Sequence, residues 1–359
     1  MFSPENVLEI HARQSLTRGG KRHALLDDIL SEMQAARGNK GREPSLPMPS
    51  VRGLGKDRMP FADFMKKGWN DELPALFSLP KPEESVECIE NIKGQFTDFT
   101  FLLDCGKGSF GHVWLVQDMT GMIVALKVIP RTEHASFQHE LSGLTLYRQN
   151  IRNFRNLVQI HHVGQTKDFF FYTMDAAYSL VKDRYIPLTL RNLLRFCMLT
   201  PLDGCHVVTS LLEGLAELHG HMLSHRDIKP DNVIFVDGTA KLCDMGLISP
   251  CSLKDPKGTR DFIPPDYAGI SDDAIGISCD LYAMGKVLYT VLINDVLLSC
   301  FPWVPKTILR DSLGKRVNKV INTACAPTQS KRFRSAMEFI AALEKIQRSR
   351  RGFLSRIFH

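Results

Sequence analysis

The sequence predicts an α+β protein with two lobes, a small antiparallel β-rich lobe carrying one key helix and a larger, mostly α-helical lobe. Three observations carry this. From Phe99 to Met174 apolar and polar residues alternate with period two between turn glycines. Beyond Asp175 the period lengthens to that of amphipathic helices, as in VVTSLLEGLAELHGHML. The change falls near residues 175–178, where two lobes of different make-up would leave a cleft.

Taken in order, residues 1 to about 40 read as one or two helices, because Ser3-Pro4-Glu5 is a helix start and ALLDDILSEMQAA has helical apolar spacing. RGNKGREPSLPMPSVRGLGKDRMP (Arg37 to Pro60) is rich in Gly, Pro and basic residues and reads as a linker. Residues 61–96 suggest no fold. FTFLLDCGKGSFGHVWLVQDMTGMIVALKVI then reads as three antiparallel strands, SFQHELSGLTLYRQN as a helix, and LVQIHHVGQT and DFFFYTM as two more strands. The apolar run Val287 to Val304 is broken by Asn294 and Asp295, so a buried helix pair is expected there rather than a membrane span.

The net charge of +6 permits acidic ligands without demanding them. It also comes without a basic–aromatic stripe, which argues against a nucleic-acid binder. Nine dispersed cysteines with no C-x-x-C pair fit reduced thiols better than a disulfide framework or a zinc site. The N-terminus lacks the basic start and apolar run of a signal peptide, and a cytoplasmic location is expected.

Several residues carry chemistry. In GKGSFGHV, Gly106, Gly108 and Gly111 let backbone N–H groups approach phosphate oxygens. A strand follows rather than a helix, so the loop is a hairpin lid, or a glycine hairpin with no ligand. Alternation in VALKVI places Ala125 and Lys127 on one face. That Lys is an edge residue, or it reaches nucleotide phosphates with Glu140, 13 residues on, to fix it. In HRDIKPDNVIF, Asp227 can accept the hydrogen bond of an attacking hydroxyl, Lys229 can neutralise a γ-phosphate, and Asn232 offers an oxygen to Mg²⁺. Asp244 in KLCDMG supplies a second metal ligand, and the 12 residues from Asn232 fit a hairpin returning both to one mouth.

In this order GKGSFGHV, VALK, a helix Glu, HRDIKPDN, DMG, GTRDFIPPD, SCDLYAMG and KRFRSA resemble the eukaryotic-type Ser/Thr protein kinases, from about Phe99 to Ile346. The resemblance implies a bilobal protein-kinase-like fold. It divides the chain into an N-terminal extension (1–98), a kinase domain (99–346, lobes about 99–177 and 178–346) and a basic amphipathic tail (347–359). It implies ATP with Mg²⁺ or Mn²⁺, and transfer of phosphate to Ser/Thr hydroxyls of protein substrates, autophosphorylation included, in signalling. Lys127 would pair the α/β-phosphates and Glu140, Asp227 would be the catalytic base, Asn232 and Asp244 the Mg²⁺ ligands and Lys229 the phosphate neutraliser. Met174 would guard the back of the adenine pocket, the backbone of Asp175 to Ala177 would face the adenine edge, and Val113, Ala125 and Ile234 would sandwich the ring. Met245, His225, Leu144 and Ile160 would stack as an apolar column anchored by Asp280. Lys229 and Thr259 resemble Ser/Thr rather than Tyr kinases.

This chain departs from the family at Met245, where Phe is usual, and at Asp266, where Glu is usual. The shorter Asp266 arm predicts a strained or water-bridged pair with Arg332. The 13-residue Lys127–Glu140 spacing predicts a trimmed helix start. Arg226 in such a kinase is often held by a phosphorylated segment, for which Ser249 and Ser252 are the candidates unless the loop orders unaided. Cys105 and Cys243 flank the expected nucleotide site, so their oxidation would inhibit. The tail KIQRSRRGFLSRIFH either lies weakly on anionic lipid or, the preferred reading, ends a helix packed on the large lobe. A low-activity, pseudokinase-like nucleotide-binding scaffold is the alternative function. A small-molecule kinase fits less well, because Lys229 and the GT-to-PPD segment form a peptide shelf in the family.

Overall fold

The computed structural model describes residues 59–60, 92–107, 111–132, 134–179, 185–255, 257–270, 275–296, 298 and 301–357. The expected helices of residues 1–40 lie outside them, as does Gly108. The small lobe is a five-stranded antiparallel sheet of β1 (Phe99–Lys107), β2 (His112–Asp118), β3 (Ile123–Pro130), β4 (Ile160–Gln165) and β5 (Phe169–Met174), in the order β1-β2-β3-β5-β4. Between β3 and β4 runs helix α1 (His134–Asn150), and fewer than two of its turns precede Glu140.

Period-two alternation divides β3 between two environments. Val124, Leu126 and Val128 face an outer core with Trp114 and Phe171. Ala125 and Lys127 take the other face, with Ile129 in the main core. Ile92 and Phe96, from the stretch with no expected fold, complete the outer core. The Phe96 ring meets Phe171 edge-on at 4.9 Å between centroids. The small lobe therefore draws on residues ahead of its first strand.

The large lobe contains α2 (Leu190–Phe196), α3 (Pro201–Gly220), the hairpin β6 (Val233–Val236) and β7 (Thr239–Leu242), α4 (Ile275–Ile293), α5 (Ser312–Ala324) and α6 (Ala336–Ile357). Local chemistry sets several of these boundaries. Thr200 and Asp203 form a reciprocal capping box ahead of α3, with Pro201 in its first turn. Asp311 caps α5 by accepting from the Gly314 amide.

Helix α4 is apolar on every side and all but two of its residues are buried, so it is the central post of the lobe. It is long and apolar enough to cross a membrane, yet 89% of its apolar window is buried within the protein. Of the helix pair expected in Val287–Val304, the first member ends at Ile293, and part of the stretch that would hold the second lies outside the described residues. Asn294 turns left-handed at φ 52°, and its side chain bonds both the amide and the carbonyl of Leu199 (2.7 and 2.8 Å). Residues 301–305 are turn and extended chain, up to a short helix at Lys306–Arg310. Within the linker, Met59–Pro60 pairs in parallel with Cys197–Met198. Helix α6 continues to Ile357, with Leu343 and Ile346 buried and the Gln347 amide donating to the Thr209 hydroxyl of α3 (3.3 Å).

Candidate active site

The small-lobe half centres on Lys127. Its strand pairs Lys127 with Val113 on β2 and Tyr172 on β5, which fixes the side chain in the middle of the sheet. The ammonium donates to Glu140 Oε1 (2.7 Å) and, 117 residues away in sequence, to Asp244 Oδ1 (2.8 Å). Burial alone would drive Lys127 towards its neutral form, but Asp244, Tyr172 and Glu140 outweigh it and hold its pKa well above the ordinary lysine value. For Asp244 burial opposes ionisation, and the adjacent Lys127 more than compensates, so its carboxyl lies below the usual range. Burial is the larger influence on Glu140 and pushes it upward, with Lys127 opposing.

A residue missed in sequence joins this triad. The Tyr172 hydroxyl donates to Glu140 Oε1 at 2.7 Å. The available signal was a hydroxyl-bearing residue inside the otherwise apolar FFFYTM strand.

The large-lobe half is built on the loop after α3. Arg226 lies in the left-handed region at φ 70°, a conformation that costs a non-glycine residue about 1 kcal/mol or more. Asp280 of α4 offsets that cost: its two oxygens accept from the His225 and Arg226 amides, each at 2.8 Å, and Oδ2 also meets His219 Nε2 at 3.0 Å. The predicted anchor is therefore present, and His219 is an unforeseen third partner. Beyond it, Asp227 is held by donors on both oxygens. The Thr259 hydroxyl (2.7 Å) and amide (3.0 Å) donate to Oδ1, and Lys229 Nζ and Asn232 Nδ2 (both 2.8 Å) donate to Oδ2. Lys229 also reaches the Thr259 hydroxyl at 2.9 Å.

Asn232 and Asp244 are joined by the β6–β7 hairpin, whose turn at Asp237–Gly238 has positive φ at both residues, as a tight two-residue loop requires. The Cys243 amide donates to the Asn232 carbonyl (3.0 Å) and closes the mouth. Asp244 is left-handed at φ 66°. Among the described residues, Asn232 uses its amide nitrogen on the Asp227 carbonyl and carboxylate, which leaves the amide oxygen as its ligand atom. No cluster of three His, Cys, Asp or Glu occurs among the described residues. The donors here are one amide oxygen and one carboxylate, a hard-oxygen pair whose chemistry fits a hard divalent cation such as Mg²⁺.

Met245, His225, Leu144 and Ile160 are all buried, with Met245 fully so. The carbonyls of Met245 and Gly246 pass so close to α1 that a Cβ on Gly143 would come within 2.6 Å of both. A Cβ on Gly246 would meet the Glu140 carboxylate at 2.0 Å, so glycine is required there.

The remaining predicted nucleotide residues line the same mouth from above and below. Gly106 has φ 103°, and a Cβ on Gly111 would strike the Val128 carbonyl at 2.5 Å, so the hairpin lies directly on β3. Ala125 and Ile234 are buried and pair with Met174 and Lys241 respectively, and Val113 and Met174 are half-buried. The Asp175 side chain turns away to Lys241 (2.7 Å) and the Gln159 amide (3.0 Å). The Ala177 carbonyl accepts from Tyr185 (2.9 Å).

Two expectations are corrected. Asp266 contacts Arg332 directly rather than through a water, and Gln329 places its amide on the other Asp266 oxygen (2.8 Å). Arg332 also holds Ser278 (3.1 Å) and the Ala326 carbonyl (2.8 Å). The thiols flanking the mouth are not poised for oxidation. Burial, with Asp104 adding, pushes Cys105 up to about 12, and burial followed by Asp244 raises Cys243 further still.

A family model, the protein kinase domain, matches residues 99–358. The chain belongs to the protein kinase family. Curated relatives of this kinase include a cyclin-dependent kinase F-4 from Oryza sativa (26% identical over 62% of this chain and 46% of the relative). A calcium-dependent protein kinase 4 from Plasmodium falciparum is 29% identical over 52% of this chain and 36% of its own length. An Aurora kinase from Yarrowia lipolytica is 28% identical over 59% of this chain and 56% of its own length. The kinase thus spans little more than half, or less, of the relatives it matches.

Proposed function

We propose that this kinase is catalytically active and transfers the γ-phosphoryl group of ATP to Ser or Thr hydroxyls of protein substrates, including its own. The observation that carries this reading is the bond of Lys127 to both Glu140 and Asp244, which closes the two lobes on one polar mouth opposite Asp227.

In this reading the adenine lies between Val113 and Ala125 above and Ile234 below. Its edge meets the Asp175 carbonyl and the Ala177 amide, the complements of the two groups bonded within the protein. Lys127 takes the α/β-phosphates. The substrate hydroxyl oxygen bonds to the γ-phosphorus as the bond to the bridging oxygen breaks, and ADP leaves. Asp227 accepts the hydroxyl proton, and Lys229 neutralises charge on the transferred group. Asn232 and Asp244 would hold Mg²⁺ or Mn²⁺, which when bound would supply charge neutralisation for the phosphates. Ser/Thr preference is supported by Lys229 and Thr259, which bond each other and Asp227. All seven cysteines among the described residues are free, which supports placement in the reducing cytoplasm.

Phosphate transfer to a generic protein substrate tests the reading. Asp227→Asn should lower kcat by about 10³-fold with ATP binding retained. Equal turnover, or nucleotide binding with no transfer by the unaltered chain, would favour the scaffold reading instead.

A further inference from the structure

We infer that Lys257 is a positioning residue that ties helix α1 to the catalytic loop, so that the segment following Asp244 is ordered without a phosphate. The inference rests on the proposed function and names how that site is held ready.

The Arg226 guanidinium, beside the catalytic loop Asp227, donates to the backbone carbonyls of Leu253 (2.6 Å) and Asp255 (2.8 Å). Its charge is therefore met by the chain itself. Of the two candidate phosphate acceptors, Ser249 is buried in a short strand paired with Ser224, whose hydroxyl donates to the Ser249 carbonyl (3.3 Å). A phosphate carries close to two negative charges and three acceptor oxygens, and a buried hydroxyl in a paired strand has no place for it.

From Asp255 the network continues outward. The Asp255 carboxylate pairs with Lys257 at 3.0 Å. The Lys257 ammonium in turn reaches the His139 imidazole at 2.7 Å. His139 is the residue before Glu140 on α1. A continuous path therefore runs Arg226, Asp255, Lys257, His139, Glu140, joining the loop that bears Asp227 to the helix that orients Lys127. The next residue, Gly258, fixes this path. Its φ is 117°, and a Cβ there would lie 2.3 Å from the Arg226 carbonyl, so only glycine lets the chain pass. The place a phosphorylated residue would have taken at Arg226 is filled by the Leu253 and Asp255 carbonyls, and the Asp255 carboxylate holds Lys257, which carries the link on to α1.

The test uses the full chain, treated with a protein phosphatase and confirmed phosphate-free by intact mass. Its kcat is compared with that of untreated protein, and with Lys257→Ala, Lys257→Arg and His139→Leu. Amide hydrogen exchange over residues 134–150 is measured in parallel. The expected result is a kcat within about twofold of untreated protein after phosphate removal. Lys257→Ala and His139→Leu should each lower kcat about fivefold with KM for ATP little changed and α1 exchange faster, and Lys257→Arg should restore both. The inference is overturned if phosphate removal abolishes a turnover that the untreated chain has. It is equally overturned if Lys257→Ala and His139→Leu leave turnover and α1 exchange at the unaltered level. If no form transfers phosphate, the proposed function has failed, and α1 exchange alone decides the role of Lys257.

Discussion

The two halves of the site are held together by different means. Around Asp227, four donors come from residues 229, 232 and 259, within one loop and the segment that crosses it, and the loop is fastened to α4 by Asp280. Around Lys127, the partners come from a strand, a helix and the far lobe, and they meet through the bonds of one ammonium and one hydroxyl. The large-lobe half is a cage that forms with the fold. The small-lobe half exists only when three elements arrive together, which makes it the half through which activity can be governed.

The largest expected effect that breaks this contrast is on turnover. Lys127→Met should abolish phosphate transfer as fully as Asp227→Asn. It should also lower the unfolding free energy by about 3 kcal/mol in denaturant titration, because it strands the buried Glu140 carboxylate. If Lys127→Met unfolds no more easily than the parent, the triad is not the hinge between the halves. Next, Asp280→Ala leaves the buried His225 and Arg226 amides without an acceptor and should cost about 3 kcal/mol, read by the same titration. Because the cage hangs from that anchor, kcat should fall while the melting of α1 followed by hydrogen exchange stays put. Tyr172→Phe removes one bond to a carboxylate and sharpens the comparison further. It should cost about 1–2 kcal/mol and lower kcat/KM severalfold, with Asp227-side behaviour unchanged. The smallest effect is expected from thiol chemistry. With Cys105 pushed up to about 12, its thiol stays protonated at neutral pH, and the thiolate is the reactive form. Iodoacetamide at pH 7.5 should leave activity intact, with Cys105 labelling rising only in strongly alkaline buffer. Rapid inactivation at pH 7.5 with Cys105 modified would contradict the burial.

Much of the large-lobe half was legible as text because its partners are close in sequence. HRDIKPDN places base, lysine and amide at fixed offsets, and a two-residue Asp237–Gly238 turn forces Asp244 back to Asn232. The small-lobe half was legible only as types. The pattern offered a lysine in a strand and a glutamate on a helix, but Tyr172 went unnoticed because a tyrosine in FFFYTM satisfies an apolar pattern equally well. The end of α4 was hidden for a related reason. Apolar content continues past it, and the left-handed Asn294 stapled to Leu199 ends it, a contact across 95 residues that no local period encodes.

By itself, then, the sequence determined the order of strands and helices in the kinase domain, the turn glycines and which polar residues are candidates for the site, since these follow from periodicities and short motifs along the chain. Tertiary structure decided which carboxylates share the Lys127 ammonium, that Phe96 and Ile92 belong to the small-lobe core, and that Arg226 is satisfied by carbonyls of the segment after Asp244. Each of these is a contact between elements far apart in sequence. Burial and charge pairing acquire their strength only once water is excluded by packing, and packing is a property of the assembled fold.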